Sequence, residues 1–113
     1  MDCLFCKIIA GEIPSAKVWE DEYCYAFKDI APQAPVHVLI VPKEHISGVD
    51  CITVKNSTVV AHIFSVIPWI AAELGIRDGG YRVVSNVGEN GCQSVRHLHF
   101  HILGGEKLSD RMA

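Results

Sequence analysis

The sequence predicts a single α+β domain built on an antiparallel sheet, and three observations lead there. Its 113 residues suffice for a real core and are few for two domains. Short alternating segments stand on both sides of one long stretch with helical periodicity. Turn-forming residues separate them, and strands followed by one long helix and then more strands are the order of an antiparallel α+β fold.

Taken in order, residues 4–10 read as a short helix stopped by Gly11, with Pro14 opening a turn. "AKVWEDE" and "YCYAFKDI" read as two strands joined by a tight acidic turn at Asp21 and Glu22. "APQAP" breaks the chain, and "VHVLIVP" is a third strand that ends at Pro42, with His37 near its start. From Ser57 to Leu74 the apolar residues Val59, Ile63, Ile67, Ile70 and Leu74 recur at three- and four-residue steps, the pattern of an amphipathic helix. Pro68 lacks the donor that a helix interior uses, so a kink is expected near Phe64 to Ile67, and Gly75 is the stop. "GYRVVSNV" reads as a fourth strand, "GENGCQS" as a glycine-punctuated loop, and "VRHLHFHIL" as a fifth strand ended by Gly104 and Gly105.

Half of the residues are apolar and 20% are charged, which excludes a disordered chain. A net charge of -3 leaves no basic field for a nucleic-acid polymer, although a single nucleotide can bind through local groups. Small-molecule partners are expected instead. Lys55, His62, Pro68 and Glu73 interrupt the most apolar segment, so no membrane span is expected. The start, "MDCLFCKIIAGEIPS", with Asp2 and no uninterrupted apolar run, is unlike a secretory signal. The five cysteines are therefore expected as reduced thiols in a cytoplasmic protein.

Alternation along the fifth strand puts His97, His99 and His101 on one face and Leu98, Phe100 and Ile102 on the other, where they can pack against the long helix. Two chemistries suit three imidazoles. They can hold zinc with one position left open for hydrolysis. Alternatively, one neutral ring nitrogen can attack phosphorus while its neighbours, charged, hold phosphate oxygens. The loop "NVGENGCQS" favours the second, because it offers backbone donors, an amide and a hydroxyl to an anion without an arginine clamp. Strand parity turns Arg96 away from the histidines.

"GCQSVRHLHFHILGG" resembles the signature of the histidine triad family, three histidines alternating with apolar residues, and "FKDIAPQAPVHVLIVPKEHI" is similar to that family's nucleotide-binding segment. The resemblance runs over nearly the whole chain and is nearest to the nucleotide-binding branch formerly called protein kinase C inhibitors. It implies one HIT-like domain over residues 1–113, a five-stranded antiparallel sheet with one long and one short helix. It also implies a homodimer whose two sheets join into one of ten strands.

The activity it implies is purine nucleotide binding and hydrolysis of nucleoside phosphoramidates, including aminoacyl-adenylate-like compounds, through a covalent nucleotidyl-histidine that needs no cofactor. By the same resemblance His99 is the nucleophile, oriented by the backbone carbonyl of His97. His101 would donate to the α-phosphate and His37 would orient it, with Ser94 and Gln93 near the phosphate and leaving group. Asp29 would accept both ribose hydroxyls, a task suited to two carboxylate oxygens. Leu4, Phe5, Ile8, Phe27, Ile30 and Leu39 match the apolar slot for the base, and Asn86 and Gly88 match the phosphate end.

Cys3 and Cys6 form a Cys-x-x-Cys pair that alone is a weak signal. The resemblance adds His45 and His97, and that Cys2His2 set suits a closed structural zinc site. Cys24, Cys51 and Cys92 have no partner pattern. The chain departs from the family at Cys92, where glycine is usual, and at Glu106, where arginine is common. It ends soon after, at "SDRMA", whereas the family's tail reaches the partner's active site and influences substrate choice. Pro68 falls in the helix that packs in the family's dimer interface. Two other functions stand beside the phosphoramidate hydrolase: a dinucleoside polyphosphate hydrolase, and a purine-nucleotide sensor whose hydrolysis is incidental.

Overall fold

Two apolar surfaces, one on each side of a single sheet, organise the chain. The structure, a computed structural model, describes residues 3–112, so the acidic start at Asp2 lies outside the described residues. Helix α1 (Leu4–Ile9) is capped by Cys3, whose sulfur accepts the Cys6 amide at 3.4 Å. Strands β1 (Lys17–Glu20), β2 (Cys24–Lys28) and β3 (Val36–Pro42) follow, then a 3-10 turn at Val49–Cys51. Helix α2 (Ser57–Glu73), β4 (Arg82–Val84) and β5 (Phe100–Gly104) complete the chain. All pairings are antiparallel and the spatial order is β1-β2-β3-β5-β4, the α+β architecture expected.

Helix α2 is continuous through Pro68 and ends where the glycine signal places it. Gly75 has φ 75°, its amide reaches the Ala72 carbonyl at 3.1 Å, and the Ile76 amide reaches Ala71 at 3.0 Å. These paired back-bonds satisfy carbonyls that the helix end leaves open, and they need a residue at ease with positive φ. The acidic turn between β1 and β2 is held by Asp21. Its Oδ1 accepts the amides of Tyr23 and Cys24, and its Oδ2 accepts Trp19 Nε1 at 3.0 Å and lies 2.7 Å from His62 Nε2 of α2. Although burial opposes it, these donors hold the Asp21 carboxyl well below the usual carboxylate range. Burial first, and the Asp21 charge second, push the neighbouring Cys24 thiol up to about 12, which makes it an inert packing residue.

Strand parity decides what each face buries. Cys24, Ala26, Val38, Ile40, Phe100 and Ile102 face α2 and pack with Ile63, Val66, Ile67 and Ile70. Full burial of each such aliphatic side chain contributes about 1.5–3 kcal/mol before entropy is charged against it. Tyr25, Phe27, Leu39 and Val41 face the other way and pack with Phe5 and Ile8 of α1. The histidine face is therefore covered, and His37, His97 and His99 are buried.

Both strands that flank the site are shorter than their sequences suggest. β4 is confined to Arg82–Val84 and β5 begins at Phe100, not at Val95. Pairing of β3 with β5 stops at Ile40 opposite Phe100, next to Pro42, which has no N–H to extend a ladder. Beyond that point side chains and another loop take the backbone groups. The Pro42 carbonyl faces His97 Nε2 at 2.8 Å, the Leu98 amide donates to Ile46, and the His99 carbonyl accepts Ser85 Oγ at 2.8 Å. The alternation of side chains survives, but the ladder does not. Among the described residues no helix is long and apolar enough to cross a membrane.

Candidate functional site

His37, Leu39, His99 and His101 share the face of the sheet opposite α2, and this brings two histidine networks together. Gln33 donates its backbone amide to His37 Nδ1 at 3.0 Å, and an amide can only donate, so the His37 proton resides on Nε2. That nitrogen is 2.9 Å from His101 Nδ1, which must accept, so His101 carries its own proton on Nε2. Asp29 Oδ2 stands 3.5 Å from the same His37 nitrogen, while its Oδ1 accepts the Ala31 amide at 2.8 Å. Asp29 is thus both a turn residue and part of the site.

Next along the strand, His99 Nδ1 lies 2.7 Å from the His97 carbonyl. A carbonyl can only accept, so Nδ1 holds a proton, and in the neutral tautomer the lone pair is on Nε2. The His99 ring is 3% exposed and is flanked by Phe5 and His101, each with a centroid distance of 5.1 Å. Burial pushes His101 down to about 4, helped by His99 and His37, and burial likewise lowers His37. The charged neighbours expected from the sequence are thereby corrected to neutral ones. They act as N–H donors with a defined tautomer, not as imidazolium ions.

This has a consequence for stability. An unfolded chain binds a proton at His101 near pH 6.5, the folded chain only near 4, so between these values the unfolded state holds more protons. Stability is therefore expected to fall as pH drops from 6.5 to 4. Thermal melts over that range should show a steeper loss for the wild type than for His101→Gln, and equal slopes would refute the assignment.

A cavity of about 670 Å³ opens beside the His37 and His101 rings, while buried His99 and loop residue Gly88 are not on its wall. Asp29, Gln33, His37 and His101 line one part of it, and Asn86, Cys92 and Ser94 contribute from the loop before the triad. Arg82, Leu103, Leu108 and Ser109 complete its wall, and an Arg82 Nη2 donates to the Ser109 carbonyl. Arg82, Gln33 and Leu108 were not singled out in the sequence, whereas Ser109 begins the "SDRMA" tail noted there for its bearing on substrate choice. The only signal was Arg82's place in an alternating strand beside the histidine strand. Cys92 has φ 61°, the left-handed conformation that suits the glycine usual there. Neighbouring Gly91 has no such latitude, since a Cβ would stand 2.3 Å from the Val87 carbonyl oxygen.

Not every residue expected at a nucleotide is beside the cavity. Phe5, Ile8, Phe27 and Leu39 form the buried cluster under α1, with Phe5 and Phe27 edge-to-face at 5.6 Å. Leu4 is half exposed and Ile30 fully exposed, so neither is a buried wall in this structure. The Gln93 amide turns away from the cavity toward backbone groups of its own chain.

The Cys3, Cys6, His45 and His97 set does assemble, with its four donor atoms within 4.8 Å of one another. Cys3 Sγ is 3.4 Å from His97 Nδ1, and Cys6 Sγ is 3.3 Å from His45 Nδ1 and 3.6 Å from His97 Nδ1. A tetrahedron with zinc bonds of about 2.3 Å to sulfur and 2.0–2.1 Å to nitrogen has sulfur–nitrogen edges of about 3.5 Å, so the set fits this ion. Because His97 Nε2 donates to the Pro42 carbonyl, its Nδ1 lone pair faces the thiols, as a ligand requires.

Comparison with known proteins agrees with this geometry. The HIT domain family matches residues 10–108. A HIT family hydrolase from Clostridium thermocellum superposes with a TM-score of 0.96 at 46% identity, covering 99% of this chain and 97% of that one. A histidine triad nucleotide-binding protein from Candida albicans gives a TM-score of 0.81 at 34% identity, covering 99% and 87%. A 14 kDa zinc-binding protein from Zea mays is 44% identical over 94% of this chain and 84% of its own length. Matched in sequence and in fold over nearly its full length, the chain belongs to the HIT domain family.

Proposed function

We propose that the chain is a purine nucleoside phosphoramidate hydrolase that works through a nucleotidyl-histidine on His99. The observation that carries this reading is the 2.7 Å contact from His99 Nδ1 to the His97 carbonyl, which fixes the tautomer of a buried imidazole so that Nε2 is the nitrogen free to attack. Such a nitrogen is a competent nucleophile at neutral pH. His99 Nε2 attacks the α-phosphorus, the P–N bond breaks, and the departing amine takes up a proton. His101 Nε2–H donates to a phosphoryl oxygen, with its tautomer set by His37 and the Gln33 amide. Water then attacks phosphorus and loses a proton to solvent, replacing the one taken up by the amine; the N–P bond breaks, His99 leaves as neutral imidazole, and the nucleoside monophosphate is released.

Asp29 and Ser94, both on the cavity wall, take the ribose hydroxyls and the phosphate in this reading. The name of the Candida albicans relative supports a nucleotide ligand, and that of the Clostridium thermocellum relative supports hydrolysis. Zinc held by Cys3, Cys6, His45 and His97 fixes α1 and His97 in place and takes no part in the reaction. The Zea mays relative's name agrees with it. A homodimer belongs to this reading, and the three-residue edge strand β4 together with exposed Val83, Phe64 and Trp69 supports it.

The direct test is mass spectrometry of protein quenched during turnover of adenosine 5′-phosphoramidate. An acid-labile AMP adduct mapped to His99 is expected. An adduct on another residue, or turnover without any adduct, would overturn the covalent route.

A further inference from the structure

We propose that Gln93 is a positioning residue, a clip that sets the phosphate loop in register, and not a group that touches the leaving amine. This rests on the nucleotide reading of the cavity. Gln93 Nε2 donates to the Ser47 carbonyl at 2.7 Å and to the Val95 carbonyl at 3.0 Å, and Oε1 accepts the Gly88 amide at 3.0 Å. The partners also fix which atom is oxygen, because two carbonyls need N–H groups and an amide needs an acceptor. A primary amide has two N–H donors and both are used, so none is left for a substrate.

The three partners lie in three places that have to agree. Gly88 belongs to the loop that carries Asn86, Cys92 and Ser94 to the cavity. Ser47 follows His45 of the metal set and Ile46, whose carbonyl accepts the Leu98 amide inside the triad segment. Val95 opens that segment, and the Gln93 amide itself returns to the Gly88 carbonyl at 3.0 Å. One planar group thus spaces the loop from the histidines. Gly48 makes room for it, since a Cβ there would stand 3.2 Å from Oε1 and 3.3 Å from Nε2.

Gln93→Glu keeps the shape but sets a carboxylate against two carbonyls. The test measures AMP affinity by calorimetry, kcat/KM for AMP amides of ammonia and of two larger amines, and hydrogen exchange at the Gly88 amide. The clip predicts about tenfold weaker AMP binding, although AMP has no leaving amine. It also predicts the same fractional loss of kcat/KM for every amine, and faster exchange at Gly88. Unchanged AMP affinity overturns it, and so does a loss that grows with the size of the amine. If Gln93→Glu does not fold, Gly48→Ala decides. That variant sets a Cβ 3.2 Å from Oε1 and 3.3 Å from Nε2 and so asks the amide to give by a few tenths of an ångström; weaker AMP binding and faster Gly88 exchange are expected, and normal values for both overturn the clip. Wild-type protein that fails to bind AMP refutes the nucleotide reading, and Gly88 exchange then judges the clip by itself.

Discussion

His99→Ala is expected to lower turnover of adenosine 5′-phosphoramidate by about four orders of magnitude while AMP affinity changes by less than about threefold. The contrast arises because the ring is asked to form a bond to phosphorus, while binding draws on Asp29, Ser94 and the loop. Removing a nucleophile leaves only the stabilisation offered by donors around the phosphate. Groups that act as a unit are also non-additive, so His99→Ala with His101→Ala should be scarcely slower than His99→Ala alone. Single-turnover kinetics beside calorimetry with AMP checks both statements. Turnover within tenfold of the wild type in His99→Ala would place the chemistry elsewhere.

Cys6→Ser is expected to strip zinc from the chain and to lower its melting temperature by roughly 15 °C. A metal that binds only the folded state adds about 4 kcal/mol when its free concentration is 1,000 times its dissociation constant. For a domain of this size that amount corresponds to a shift of this order. The Cys6 thiol, raised by burial and by Cys3, also explains why metal uptake should release protons and weaken at low pH. Elemental analysis should find about one zinc per wild-type chain and less than a tenth of that in Cys6→Ser. Wild type that elemental analysis finds without zinc, or zinc-loaded wild type that melts at the same temperature as Cys6→Ser, would remove zinc from the account.

Local rules were legible in the sequence wherever the chain obeys one period. Helix α2 and its end at Gly75 follow from three- and four-residue steps and one left-handed residue, both local properties. The start of β5 was not legible, because alternation reports which way side chains point, whether or not a ladder holds the backbone. Whether it does depends on Pro42 and Ile46, far away in sequence. The neutral state of His101 was hidden for a related reason, since it is set by burial and by His37 across the sheet. Asp29 and the triad stood out as motif residues. Gln33 did not, because its contribution to His37 is a backbone amide, which no residue type advertises.

The contact between Cys3 and His97 joins positions 94 apart in a chain of 113. During synthesis α1 therefore leaves the ribosome long before the histidine strand exists to receive it. Until then Phe5 lacks its ring contacts with His97 and His99, and the helix, six residues long, is too short to persist unaided. Two segments far apart in sequence are thus brought into one centre late. Contacts of such wide separation form late in folding, so the centre should be the final part of the molecule to close.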